Sequence, residues 1–251
     1  MMDNKQNDQA GQPIDRHLLQ MTWAFAHASE FGSRPGGNHV IRVGCFAYCV
    51  ARELTSDTAF ASSLLIAAPL HDVGYIGIPR EIIQKQGSLA LTELETMRHH
   101  CRIGYEILTQ RRQLSVLPLL GLAEDSKISS QLDPYLEMAA TIALNHHEKF
   151  NGTGYPYNRR GEEIPLEARI TSICDVFDSL TSKRPFREAY SSELALDLIE
   201  GQARNDFDPE VLAAFRAVYP EILAIREQLP DTISVSTTED IGSGEFVITL
   251  V

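Results

Sequence analysis

The sequence predicts an all-α fold: one domain of about nine helices with a short C-terminal β-hairpin. Three observations predict it. Apolar residues recur at helical spacing from Ile14 onward. Residues that start helices stand ahead of most of these stretches. Only TISVST at 232–237 and EFVITLV at 245–251 alternate or are β-branched, with the turn sequence DIGSG at 240–244 between them.

Residues 1–13 are polar and read as a disordered lead. Leu18, Leu19, Thr22, Trp23 and Ala26 give a first helix one apolar face. A glycine-rich break follows at Gly32, Gly36 and Gly37, and a second helix starts near Asn38 or His39. Its stripe is Val40, Val43, Ala47, Val50 and Leu54. Asp57 is placed to cap a third helix over 58–72, apolar almost all round and so expected at the centre. Pro79 suits the first turn of a short helix ending at Gly87. Thr92 and Glu95 read as a capping box for a long helix to about Arg112. The stretch 113–132 is irregular, Leu-rich and then polar. Asp133-Pro134 starts a helix to about Lys149, ahead of a glycine-rich loop, NGTGYP, at 151–156. Pro165 opens a helix to about Ser182, Ser191 or Ser192 the next, and Asp208-Pro209 the last, which ends before Pro230. The chain thus divides into a lead (1–13), a helical body (14–226) with 113–132 inserted, and a hairpin tail (227–251).

Composition narrows the function. The 251 residues are ample for a core, and 43% hydrophobic with 22% charged residues excludes wholesale disorder. The net charge of −12 argues against a nucleic-acid polymer or an anionic membrane as partner, since both need basic patches. An anionic substrate must then be met locally, by a few arginines or by metal ions. Cys45, Cys49, Cys101 and Cys174 form no C-x-x-C pair and read as reduced thiols of a cytoplasmic protein. The N-terminal stretch lacks a hydrophobic signal core, and no apolar run approaches the roughly 20 residues that span a bilayer.

The histidines carry the chemistry. His71-Asp72 ends the central helix and is followed by Gly74; His146-His147-Glu148 ends another and precedes the glycine-rich loop. His39 opens a helix, His99-His100 lies within one, and Asp175 interrupts an apolar stretch. Buried imidazoles and carboxylates are costly unless paired or metal-bound, and both are usual ligands for Mn, Fe, Zn or Ni. Adjacent residues on a helix diverge by about 100°. Both members of a consecutive pair serve one centre only if the metals lie against the helix end or if two metals share the ligands. Several such pairs suggest a multinuclear centre with a bridging carboxylate.

The residues that carry a resemblance are HxxRV (His39, Arg42, Val43), HDVGYIGIP (71–79), Met97-x-x-His100-x-x-x-Gly104, HHEKFNGTGYPYNRRGEEIPLEARI (146–170), ICDVFDSLTSKRPFREA (173–189) and FDP (207–209). Together they resemble the HD-GYP family of HD phosphohydrolases over most of residues 14–226. The resemblance implies an HD-type helical domain with two or three metals, usually iron or manganese, with nickel, zinc or cobalt as further options. It implies hydrolysis of cyclic di-GMP to pGpG or GMP. The ligands implied are His39, His71, Asp72, His100, His146, His147 and Asp175, with Asp72 as the bridging carboxylate. Arg184 and Arg187 match positions that meet phosphate or guanine, and Tyr155 is the tyrosine of the GYP loop. His99 falls one place off the motif and reads as a neighbour. Asp178, one turn after Asp175, reads as orienting a ligand or meeting the guanine, and Glu148 as a supporting group.

Departures from the family pattern sharpen these expectations. Trinuclear members carry a glutamate four residues before the first histidine; here that position is Pro35, so two divalent metal ions are expected. The family's HD-x-G-K lysine is Tyr75. A tyrosine, with pKa about 10, keeps an O–H donor but loses the charge, which makes Tyr75 a candidate proton donor to the leaving oxygen. Pro69 is placed to kink the central helix. Two cations about 3.5–4 Å apart would deprotonate a water and neutralise the phosphoryl oxygens, with Asp72 and His147 at the catalytic centre. Competing function classes are a weakly active or inactive cyclic di-GMP receptor and a hydrolase of another nucleotide. An exposed hairpin edge invites pairing, so the partners considered include a second copy in a homodimer and a signalling protein.

Overall fold

Apolar stripes at helical spacing become the buried faces of a helical bundle in the computed structural model, which describes residues 15–30, 37–110, 133–183, 188–201 and 204–231. The helices are α1 (Arg16–Glu30), α2 (His39–Leu54), α3 (Thr58–Ala67), α4 (Arg80–Ile83), α5 (Leu91–Arg98), α6 (His100–Thr109), α7 (Pro134–Asn145), α8 (Leu166–Thr181), α9 (Ser192–Glu200), α10 (Pro209–Ala217) and α11 (Tyr219–Gln228). No strand occurs among the described residues. The expected lead at 1–13, the insertion at 113–132 and the hairpin strands at 232–237 and 245–251 lie outside them.

The bundle is built around α2, which packs on α3, α8, α10 and α11. Val40, Val43, Phe46, Ala47 and Val50 are buried along it. Phe46 meets Phe177 of α8 at 6.1 Å between ring centres, and Phe177 meets Phe215 of α10 at 5.3 Å. Each such fully buried ring contributes about 1.5–3 kcal/mol over leaving it exposed. α7 packs on α6, α3 and α8.

Caps act where acids precede helices. Asp57 accepts the N–H groups of Ala59 and Phe60, each at 3.0 Å, and Asp208 accepts that of Glu210 at 2.8 Å. Asp133 and Ser191 do the same for Tyr135 and Leu194.

Two of the expected nine helices are each split. The long helix expected from Thr92 starts at Leu91, and Glu93, not Glu95, reaches back to the Ala90 N–H at 2.7 Å. It breaks at His99, giving α5 and α6. The last helix breaks at Val218, because Pro220 has no N–H with which to continue α10. The central helix also ends early. Pro69 cannot donate, and the chain tightens into a 3-10 turn, Ala68–Leu70, just before His71.

Contrary to the expectation from the sequence, Thr58–Gly77 is long and apolar enough by composition to cross a bilayer. It is no continuous α-helix, it is mostly buried against neighbours, and it carries His71 and Asp72. The helical body also extends past the expected boundary at 226. α11 runs to Gln228, the Leu229 carbonyl accepts from Arg42, and the Pro230 carbonyl accepts from Asn38.

Candidate metal centre

Each histidine cluster sits where a helix begins or ends. Helix C-termini leave carbonyls without intrahelical partners, and here imidazoles fill them. His71 Nδ1 lies 3.0 Å from the Ala68 carbonyl oxygen. His100 Nδ1 lies 2.7 Å from that of Met97, which the break at His99 makes available. His146 Nδ1 lies 3.1 Å from the Ile142 oxygen and 3.2 Å from that of Ala143. A carbonyl only accepts, so in each case Nδ1 carries the proton and Nε2 presents its lone pair. His39 reaches the same state through Asp178, whose Oδ2 is 2.7 Å from Nδ1.

The lone pairs of His71, His100 and His146 converge on Asp72, which is 2% exposed. Its Oδ2 is 3.4 Å from His71 Nε2, and its Oδ1 is 3.2 Å from His100 Nε2 and 3.3 Å from His146 Nε2. Asp175 Oδ1 lies 3.4 Å from His39 Nε2 and 3.8 Å from His71 Nε2. Two groups of donor atoms result, each mutually within 4.8 Å. One is Asp72, His100, His146 and His147; the other is Glu30, His39 and His71. Asp72 divides its oxygens between them.

The chemistry of this set fits divalent cations. The Nε2 atoms of His39, His71 and His146 and Oδ1 of Asp72 are buried without hydrogen-bond partners. Lone pairs facing lone pairs at such distances need a positive charge between them. In its absence the protons redistribute. Burial opposes charge on His71, but Asp72, then Asp175 and Glu30, outweigh it and raise the imidazole to about 9. Burial also opposes charge on Asp72, yet His71, His100 and His146 hold it well below the carboxylate range. His147 goes the other way: burial, then His146 and His100, push it well below the ordinary imidazole value and keep it neutral, as a ligand must be.

Glycine lets the elements meet. A Cβ on Gly74 would sit 1.9 Å from the His100 carbonyl oxygen, so only glycine allows the 3-10 turn Val73–Gly77 to lie on the start of α6. A Cβ on Gly154 would sit 2.3 Å from the Lys149 nitrogen, so the 151–156 loop folds directly back on His147-Glu148-Lys149. Glu148 fastens the chain just beyond that loop by accepting the N–H groups of Tyr157 at 2.6 Å and Arg159 at 3.0 Å. Tyr155 stacks on His147 at 4.7 Å between ring centres, and the Arg98 guanidinium lies 4.9 Å over the Tyr155 ring. Burial pushes the Tyr155 phenol up, so it stays protonated. Tyr75 is half-buried with its ring 4.6 Å from that of His100.

The structure therefore brings together all seven expected ligands, with Tyr75 and Tyr155 beside them. His99 is exposed, as a neighbour should be. Asp178 corrects the expectation of a substrate contact. It is fully buried, and its oxygens are taken by His39, by Arg42 at 2.5 and 2.8 Å, and by Ser182 and Arg226. Its one contact with an expected ligand is to Nδ1 of His39. Arg184 and Arg187 lie outside the described residues.

Two residues that the sequence does not single out also stand at this centre, Glu30 and Arg98. Glu30 is the last residue of α1, nine positions before His39, and the only signal was an acid closing a half-apolar helix. Arg98 immediately precedes the two adjacent histidines, and nothing in its spacing set it apart.

The family model described as HD domain matches residues 26–211. The chain is 34% identical to a cyclic di-GMP phosphodiesterase of Thermotoga maritima over 206 residues, which is 81% of this chain and 50% of that protein. It is 33% identical to 3'3'-cGAMP-specific phosphodiesterase 2 of Vibrio cholerae, covering 84% of this chain and 37% of the relative. The chain spans about half or less of these relatives' length. Among solved structures, Bd1817, an HDGYP protein from Bdellovibrio bacteriovorus, superposes with a TM-score of 0.54 at 16% identity, over 85% of this chain and 75% of that one, which shows a shared fold. With an HD model spanning most of the helical body and the HD and GYP strings at its buried centre, the chain belongs to the HD domain family, in its HD-GYP branch.

Proposed function

We propose that this chain is a phosphodiesterase that hydrolyses cyclic di-GMP to pGpG, GMP or both, using two divalent transition-metal ions, iron or manganese. The observation that supports it most is the position of Asp72, a buried carboxylate with imidazole Nε2 atoms facing both oxygens at 3.2–3.4 Å. Bound there, a pair of cations would supply an activated water and would neutralise phosphoryl charge. His39, His71, Asp72 and Asp175 would hold one ion; Asp72, His100, His146 and His147 would hold the other.

The remaining residues bind and orient. The Tyr155 ring, stacked on His147, and the Arg98 guanidinium over that ring form one wall beside the centre, with a cation suited to a phosphate. Arg184 and Arg187 stand as further contacts to phosphate or guanine. Tyr75, next to His100, is the proposed donor to the departing ribose oxygen. Replacing Tyr75 with phenylalanine is expected to lower turnover about 100-fold, within the range of general-acid catalysis, with metal content unchanged. Unchanged turnover in that variant would remove the role.

The direct test is incubation of the chain with cyclic di-GMP and Mn2+ or Fe2+, with products resolved by chromatography and 3'3'-cGAMP run in parallel. Conversion to pGpG or GMP is expected. A faster reaction with the mixed dinucleotide would move the assignment to that substrate, a choice the Vibrio relative makes worth measuring. Binding of either nucleotide without any turnover would favour the receptor reading.

A further inference from the structure

We infer that Glu30 is a metal ligand, and that it makes the two ends of the centre chemically unequal. This rests on the metal-dependent reading above and adds a residue that no motif in the sequence supplies. Glu30 is the last residue of α1 and is 4% exposed. Its Oε1 lies 3.9 Å from His71 Nε2, and its carboxylate forms one group with the His39 and His71 nitrogens, all within 4.8 Å.

The separation of 3.9 Å is too long for a hydrogen bond. His71 turns its Nδ1 to the Ala68 carbonyl, so Nε2 is the ring atom that faces Glu30. Atoms bound at about 2.0–2.2 Å to one ion sit about 3–4.3 Å apart. The 3.4, 3.8 and 3.9 Å separations among His39, His71, Asp175 and Glu30 fall in that range.

The consequence is an asymmetric donor set. One end has two imidazoles and three carboxylates: His39, His71, Asp72, Asp175 and Glu30. The other has three imidazoles and one shared carboxylate. Oxygen-rich sites suit Mn2+, and imidazole-rich sites suit Fe, Ni or Zn. Glu30 also binds the end of α1 to the centre, so α1 and the HD turn share a common anchor. This offers a route by which a carboxylate from a different helix stands in where Pro35 cannot ligate.

The test is titration of the metal-stripped chain with Mn2+, followed by the resonance signal of free Mn2+ and by elemental analysis. The unaltered chain should take up two ions. E30Q should keep one at the original affinity and bind the other at least about tenfold more weakly. E30D, which retains the carboxylate, should recover part of the loss. H39A should weaken the same ion, and E30Q/H39A should lose little beyond H39A alone, because the two residues share one ion. Far-UV circular dichroism of the metal-free forms checks that each variant folds, and the E30D comparison stands if E30Q does not. Both Mn2+ affinities within about twofold of the original in E30Q, or additive losses in the double variant, would overturn the inference while leaving the metal reading intact. Failure of the unaltered chain to bind Mn2+ at all would overturn both.

Discussion

Replacing Asp72 with alanine is expected to empty both metal positions at once and to abolish turnover. The geometry makes this residue different from the other ligands. Each of its oxygens faces a different imidazole set, His71 on one side and His100 with His146 on the other. A histidine variant such as H147A removes a donor from one position and leaves the second set complete. D72A removes a donor from each, along with the charge that offsets two dications in a buried space. The expected fall in turnover exceeds about 10³-fold, well beyond the 10–100-fold typical when a merely orienting partner is lost. Elemental analysis beside the chromatographic assay decides the matter. One ion retained at full occupancy in D72A would mean that Asp72 serves a single position and bridges nothing.

Replacing Asp178 with alanine is expected to destabilise the fold by about 3–5 kcal/mol, because Arg42 then remains buried without its main counter-charge. Arg42 is 1% exposed, and its Nε and Nη2 both donate to Asp178. Its Nη1 donates to the Leu229 carbonyl and Nη2 also pairs with Asp231 at 2.6 Å, so the end of α11 loosens with it. Thermal or denaturant unfolding of the metal-free protein reads this directly; a loss below about 1 kcal/mol, the range of exposed pairs, would refute it. The effect has a pH signature. Burial raises the Asp178 carboxyl, but Arg42 and His39 outweigh burial and hold it far below its ordinary 3.8. A depressed carboxyl contributes stability above its unfolded value and loses it as pH falls toward the folded one. The gap between the unaltered chain and D178N should therefore be full at neutral pH and narrow below about pH 4. The same variant should weaken the ion at His39 by about 10–100-fold, since Asp178 fixes which nitrogen of His39 carries the proton.

The contrast between Asp72 and Asp178 shows what is legible in a sequence. Both are buried acids in apolar surroundings, and Asp178 is one turn from a ligand. Only the arrangement of Arg42, Ser182 and Arg226 around it shows that its lone pairs are already taken. Glu148 reads from the sequence as a supporting group, and what it supports is the backbone at Tyr157 and Arg159, just after the 151–156 loop, rather than a ring nitrogen. The breaks at His99 and Val218 escaped detection because propensity favours continuous helix there, while Pro220 and the His100–Met97 contact act against it.

The sequence by itself determined the helical class and the caps at Asp57, Asp133 and Asp208, and it singled out seven candidate donors. Those depend on local rules: periodicity, side-chain acceptors within three residues, and long strings of adjacent residue types. The tertiary structure alone decided how the candidate donors fall into two groups, which nitrogen His39, His71, His100 and His146 turn inward, and that Glu30 lies beside His39 and His71. Those depend on separations of a few ångströms between residues far apart in the chain, such as the 3.4 Å from His39 to Asp175. Chain order carries no record of such distances until the core around α2 has packed.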